Sequence, residues 1–122
     1  MFELNVESEF CAAHAIAIAG QREPTHGHNW RVTAVVRGGT LDDDGLLCDF
    51  HELQRALEAV LAPLRDGDLN ATPPFDEINP TAENVARHIA AGLSQRLAGR
   101  ASIARVTVTE APGCAATYIV AR

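Results

Sequence analysis

Residues 2–10 alternate along the chain. Phe2, Leu4, Val6, Ser8 and Phe10 fall on one face, and Glu3, Asn5, Glu7 and Glu9 on the other. A period of two predicts a strand with one buried and one wet face. Continuing the parity without a bulge carries His14 onto the buried face. Residues 15–25 contain Gly20 and Pro24 and read as a loop. A second alternating run, Trp30, Val32, Ala34, Val36, predicts a strand over residues 26–37. A turn through Gly38-Gly39 and Asp42-Asp43-Asp44-Gly45 follows it.

The period then changes. Asp49 is placed to cap a helix, with Glu52 three residues on in a capping-box position. Phe50, Leu53, Leu57, Val60, Leu61 and Leu64 make one apolar stripe, and Pro63 ends or kinks the helix. Residues 65–79, with Asp66, Gly67, Asp68, Asn70, Pro73 and Pro74, form a long loop for so small a chain, and such loops are often functional. Asn79 reads as the cap of a second helix with Pro80 at its first position. Ala82, Val85, Ala86, Ile89, Ala90, Leu93 and Leu97 recur at helical spacing up to Gly99. Two further strands, 102–110 and 115–121, flank Ala111-Pro112-Gly113-Cys114. Ala104, Val106 and Val108 share a face that Glu110 continues. The order strand-strand-helix-helix-strand-strand predicts an α+β fold, with both helices on one face of an antiparallel sheet.

The 122 residues suggest a single domain over 1–122, and 47% hydrophobic content suffices for a core. The formal charge of −6 and the lack of a basic cluster argue against a nucleic-acid partner. No apolar run reaches the length of a membrane span, and the N-terminus does not read as a signal peptide, so the expectation is a cytoplasmic protein without a membrane partner. All ten basic residues are arginines, so any phosphate contact from a basic side chain is an arginine contact. Cys11, Cys48 and Cys114 are too few and too widely spaced for a disulfide framework. Each stands among apolar residues and reads as a small buried side chain.

Candidate chemistry starts at Thr25-His26-Gly27-His28-Asn29-Trp30. Residues i and i+2 of a strand share a face, so His26 and His28 aim at one point. Alone, H-x-H more often marks a polar pair than a metal site. Antiparallel pairing of the first two strands brings His14 beside them and reverses that balance. Three neutral imidazoles with an open fourth position suit a catalytic zinc. His51 and His88 lie in the helices without such support and read as surface or satisfied core residues. Glu110 is either a solvated strand end or an anchor accepting two parallel hydrogen bonds from a guanidine-like edge, such as that of a 2-amino-4-oxo-pteridine. Glu23 is either a solvated loop carboxylate or an acid/base beside the metal. Turn chemistry accounts adequately for Asp66 and Asp68.

The segments F-C-A-A-H at 10–14, H-G-H-N-W at 26–30, G-L-L-C-D-F at 45–50, L-N at 69–70, N-P-T-A-E-N at 79–84 and the stretch from Glu110 to Tyr118 occur in an order that resembles the 6-pyruvoyl-tetrahydropterin synthase and 6-carboxytetrahydropterin synthase family. The resemblance covers nearly the whole chain. It implies a tunnelling fold, a four-stranded antiparallel sheet with two helices, assembled into trimers that stack as homohexamers with active sites between subunits. It implies zinc on His14, His26 and His28, a pterin held by Glu110 with help from Thr81, and 7,8-dihydroneopterin triphosphate as substrate.

Two relay positions of that family differ here. Many members carry a cysteine shortly before His-Gly-His, where residues 21–25 read Gln-Arg-Glu-Pro-Thr. Members also carry Leu-Asp-His-x-x-Leu-Asn. Aligned without gaps, Arg65 takes the Asp column and Asp66 the His column; with a one-residue gap, Asp66 is the Asp and the His is lost. Glu23-x-x-His26-Gly27-His28 resembles a family variant with Glu in place of the cysteine, associated with side-chain cleavage to 6-hydroxymethyl-7,8-dihydropterin, a folate precursor. The implied lyase uses Glu23 and Asp66 as proton carriers, with Arg22 or Arg65 on the triphosphate. The other readings are a 6-carboxytetrahydropterin synthase of queuosine biosynthesis, a 6-pyruvoyl-tetrahydropterin synthase, and a pterin-binding protein without catalysis.

Overall fold

The computed structural model describes residues 1–97 and 99–121. Two long strands, β1 (Phe2–His14) and β4 (His26–Gly38), pair antiparallel over their whole length. Between them lies a short hairpin, β2 (Ala17–Ile18) and β3 (Gln21–Arg22), where the alternation suggested only a loop. Its turn residues Ala19 and Gly20 both take positive φ, as a two-residue hairpin turn requires. Alanine rarely adopts that conformation, which is why the segment carries no recognisable turn signature.

Helix α1 (Phe50–Leu61) begins at Asp49, whose carboxylate accepts from the His51 amide at 2.8 Å. Residues 62–64 tighten into a 3-10 turn around Pro63. Helix α2 (Ala82–Arg96) corrects the expected cap. Thr81, not Asn79, is the N-cap, and its hydroxyl accepts from the Asn84 amide at 3.1 Å. Between the helices, β5 (Gly67–Asp68) adds two residues of parallel strand beside β1. The chain closes with β6 (Ser102–Ala111) and β7 (Cys114–Ile119). The main sheet runs β5-β1-β4-β6-β7, so the fold is the expected antiparallel α+β arrangement with one short parallel strand added at an edge.

The core lies between this sheet and the helices. Phe10, Trp30, Val32, Val36, Val106 and Val108 face Leu53, Leu57, Leu61, Ile89 and Leu93, all buried. Burying one such side chain contributes about 1.5–3 kcal/mol, which fixes the register because a one-residue slip would turn the whole apolar row outward. Phe50 is the exception to its stripe and is exposed. The opposite sheet face is polar, with ion pairs Glu9–Arg31 and Glu3–Arg105 across strands. The cysteines are not the buried side chains expected. Cys11 falls on the polar face by strand parity, Cys114 starts β7 at a turn, and Cys48 is half-buried; Cys11 and Cys114 are exposed and all three are free. His51 is exposed beside Asp49, whereas His88 packs its ring edge-on to Phe75, with centroids 5.2 Å apart.

Burial lowers the pKa of His88 from its ordinary 6.5. The unfolded chain therefore binds this proton more readily than the folded one, and stability falls as pH drops through 6.5 toward the lower folded value. Replacing His88 with Gln should reduce the loss of denaturation free energy between pH 7 and pH 5. Urea titrations at the two pH values check this, and an unchanged difference would show that His88 contributes nothing to acid sensitivity.

Candidate active site

The β1–β4 register sets His14 opposite His26 and Ala12 opposite His28. All four side chains lie on the helix-facing side of the sheet, where strand parity put the histidines. The metal-capable atoms of His14, His26, His28 and Glu110 lie within 4.8 Å of one another. Glu110 enters from the end of β6, and its Oε1 is 2.8 Å from His14 Nε2 and 3.0 Å from His28 Nε2.

The backbone fixes which imidazole nitrogen faces the centre. His14 Nδ1 lies 2.8 Å from the Pro80 carbonyl and His26 Nδ1 3.0 Å from the Pro24 carbonyl. A carbonyl only accepts, so each Nδ1 carries a proton, and Nε2 is the nitrogen of each ring that is turned inward and free to ligate when the ring is neutral. His28 Nε2 is buried without a hydrogen bond. Burial, the largest influence on His28, lowers its pKa and favours the neutral ring, while Glu110 pulls the other way. Inward lone pairs facing a carboxylate oxygen repel one another unless a cation lies among them. Three imidazole nitrogens that converge with a position left open suit zinc, and the Glu110 carboxylate lies beside them. Trp30 supports the cluster from below: its ring stands edge-on to His14 at 4.7 Å, and its Nε1 donates to the Ala12 carbonyl at 3.1 Å.

Glu23 stands at the rim. Its Oε1 accepts from the Ile16 amide at 3.2 Å and lies 3.6 Å from His26 Nε2. Two asparagines outside the candidate set hold the same backbone. Asn70 bonds both the amide and the carbonyl of Ala15 (2.8 and 2.9 Å), and Asn79 does the same for Ala17 (2.9 and 2.9 Å). Three consecutive residues, 15–17, are thus gripped by Asn70, Glu23 and Asn79, which imitate a neighbouring strand. The only sequence trace of this was the presence of these asparagines in the L-N and N-P-T-A-E-N motifs.

The remaining candidates are spread more widely. Asp66 takes a positive φ, donates its amide to the Cys11 carbonyl at 2.7 Å, and lines a cavity of about 410 Å³ with Cys11, Asn29 and His28. Thr81 uses its hydroxyl oxygen as the α2 cap. Arg65 is not at the cluster but is engaged by Glu58, the Ser8 hydroxyl and the Glu9 carbonyl. Arg22 lines a separate cavity with Asp76, Asn79 and Pro80. Glu110 lines two cavities. One, of about 400 Å³, lies beside Ala82, Glu83 and Thr117; the other opens between β4 and β6.

Residues 3–120 match the family model described as 6-pyruvoyl tetrahydropterin synthase. A dihydroneopterin monophosphate aldolase of Pyrococcus furiosus is 32% identical over 103 residues, covering 84% of each chain. Among solved structures, 6-pyruvoyl tetrahydropterin synthase of Caenorhabditis elegans superposes with a TM-score of 0.86 at 22% identity, over 98% of this chain and 96% of that one. A Plasmodium vivax 6-pyruvoyltetrahydropterin synthase, in a catalytic-residue variant carrying cysteine in place of glutamate, superposes with a TM-score of 0.75 at 26% identity over 96% of both chains.

The cluster should take up one zinc or cobalt ion per chain, measured by elemental analysis and by the cobalt absorption of a tetrahedral site. His28→Ala should abolish this uptake; unchanged stoichiometry would remove His28 as a ligand. Asn79→Ala should cost about 0.5–1.5 kcal/mol of stability, because it removes hydrogen bonds to the Ala17 backbone that exposed groups can replace with water. Denaturant titration of the variant reads that loss.

Proposed function

The chain belongs to the 6-pyruvoyl tetrahydropterin synthase family of pterin-processing enzymes, and from that premise we propose that it is a zinc-dependent lyase. It cleaves the side chain of a phosphorylated 7,8-dihydroneopterin to release 6-hydroxymethyl-7,8-dihydropterin. The observation that carries this reading is Glu23, a carboxylate 3.6 Å from His26 Nε2. It is a carboxylate placed at the rim of the histidine cluster, on a segment gripped from both sides. A glutamate called catalytic in the Plasmodium vivax relative and the aldolase activity named for the Pyrococcus furiosus relative lend it support.

His14, His26 and His28 hold the zinc, which when bound supplies Lewis acidity toward an oxygen of the substrate side chain. Glu110 accepts the guanidine-like edge of the pterin through a two-point hydrogen bond, with Thr81 helping to hold the ring. Glu23 takes the proton from the second side-chain hydroxyl. The bond between the first and second side-chain carbons breaks, the second becomes an aldehyde, and the electron pair passes to the first, in conjugation with the ring. Protonation of that carbon completes the hydroxymethyl product, so the proton removed from oxygen is balanced by one delivered to carbon. Asp66, which lines a cavity together with His28, assists proton movement.

The enzyme works as a homo-oligomer, a trimer or hexamer, with active sites between subunits. The sheet edges support this. β1 is paired on its outer side only at Ala12 and Ala13, and among the described residues no strand lies outside β7. Edges of this kind invite pairing between copies. Light scattering on the purified protein tests the assembly; a monomer at micromolar concentration would refute it.

Zinc-loaded protein incubated with 7,8-dihydroneopterin triphosphate and with the monophosphate should yield 6-hydroxymethyl-7,8-dihydropterin by mass spectrometry. Glu23→Ala should lower kcat by about 100-fold or more with zinc content unchanged. A wild-type rate in that variant would remove Glu23 from the mechanism, and 6-carboxy- or 6-pyruvoyl-tetrahydropterin as product would replace the lyase reading.

A further inference from the structure

His14 is fully buried, and the carbonyl 2.8 Å from its Nδ1 belongs to Pro80, 66 positions away. His26 differs, because its partner is the Pro24 carbonyl, two residues off and at an exposed place. A buried N–H that loses its acceptor is costly, and a neutral imidazole escapes that cost by carrying its proton on Nε2 instead. For His14 the alternative is close at hand, since Glu110 Oε1 lies 2.8 Å from Nε2 and would accept the proton's hydrogen bond. That tautomer has no lone pair left to turn toward an ion. Whether His14 can ligate therefore depends on where the Pro80 carbonyl stands.

Pro80 is the centre of a three-residue turn, closed by the Thr81 amide donating to the Asn79 carbonyl at 2.8 Å. The residues leading into it, 76–78, are exposed. Asn84, at the third position of α2, holds the turn at both ends. Its Nδ2 donates to the Asn79 carbonyl at 2.9 Å, and its backbone amide donates to the Thr81 hydroxyl oxygen at 3.1 Å. Arg87 donates in turn to Asn84 Oδ1 at 2.6 Å. This bond fixes the amide the right way round: with its oxygen on a guanidinium, it presents its nitrogen to Asn79. Contacts thus run from Arg87 through Asn84 and the turn to His14, and each link is a covalent or a directional hydrogen bond.

We propose that Asn84, pinned by Arg87, is a positioning residue of the metal site. It holds the Pro80 carbonyl against His14 and so sets the tautomer of that ring and the affinity of the cluster for its ion. The proposal rests on the metal-binding part of the functional reading, not on which pterin is cleaved. Partners one layer out from metal ligands commonly change affinity by about 10–100-fold.

Asn84→Asp separates this role from plain stability. The carboxylate is nearly isosteric, still accepts from Arg87 and suits the first turn of a helix, but it has no N–H for the Asn79 carbonyl. The variant should keep the wild-type denaturation midpoint while its zinc dissociation constant, read by chelator competition, rises about tenfold or more. Asn84→Ala should weaken zinc to a similar extent. Gln54→Ala, which removes a side-chain bond to the Glu7 carbonyl from the other helix, should leave zinc binding within about twofold. Metal-free protein gives a second readout. At alkaline pH, the ring 15N shifts of His14 should show the proton on Nδ1 in the wild type and a population moved toward Nε2 in Asn84→Asp. Zinc affinity within about twofold of wild type in either Asn84 variant, or an unmoved His14 tautomer, would overturn the proposal and leave the metal site and the lyase reading standing. An equal loss of affinity in Gln54→Ala would overturn it too, by showing that general destabilisation loosens the ion. If the wild-type chain takes up no zinc, the metal reading and this proposal fall together.

Discussion

The pairing of β1 with β4 is the constraint on which the rest depends. It runs without a bulge from Phe2–Gly38 to His14–His26. Its register is held by the buried row Val6, Phe10, Trp30, Val32 and Val36, which can face the helices in only one phase of the pleat. Apolar burial in the middle of the ribbon thereby positions three imidazoles at its end. The histidines need no local motif to converge; they are the continuation of a hydrophobic face past the point where the helices cover it.

At that uncovered end, polar groups take over the work of packing. Pro80 and Pro24 carbonyls choose the tautomers of His14 and His26, and Trp30 closes the floor beneath His14. Asn70 and Asn79 complete the backbone of Ala15 and Ala17. The segment Asn79-Pro80-Thr81 serves three purposes in succession: gripping the loop, orienting a histidine and capping α2. Groups one layer out from a metal cluster commonly set its geometry in this way. The two sheet faces differ in kind, with the imidazoles on the helix-facing side and the Glu9–Arg31 and Glu3–Arg105 ion pairs on the other.

Periodicity sufficed for most of the fold. Alternation at 2–10 and 26–37, helical spacing at 50–64 and 82–97, and Glu110 continuing the face of Val106 and Val108 are each a local consequence of where apolar side chains recur. His14, His26 and His28 were legible for the same reason, since strand parity is a property of the backbone and antiparallel pairing of two adjacent strands is its simplest use. Side-chain bonds to distant backbone have no such period. Asn79 looks like a helix cap in sequence, and only its contact with Ala17, 62 residues away, shows that Thr81 caps the helix instead. Arg65 looks like an anion site until Glu58 and the Glu9 carbonyl are seen to occupy it. The cysteines, read as buried from their apolar neighbours, were decided by parity and a turn.

What the chain determined by itself is therefore the set of faces, because the direction of each side chain along a strand or helix follows from the residue count. What only the tertiary structure decided is where those faces end and what meets them there. Glu110 stands beside the imidazoles although it lies 96 positions from His14, and their meeting depends on where strands stop pairing. That stopping point is set by the balance of packing across the whole sheet, which no window of sequence contains.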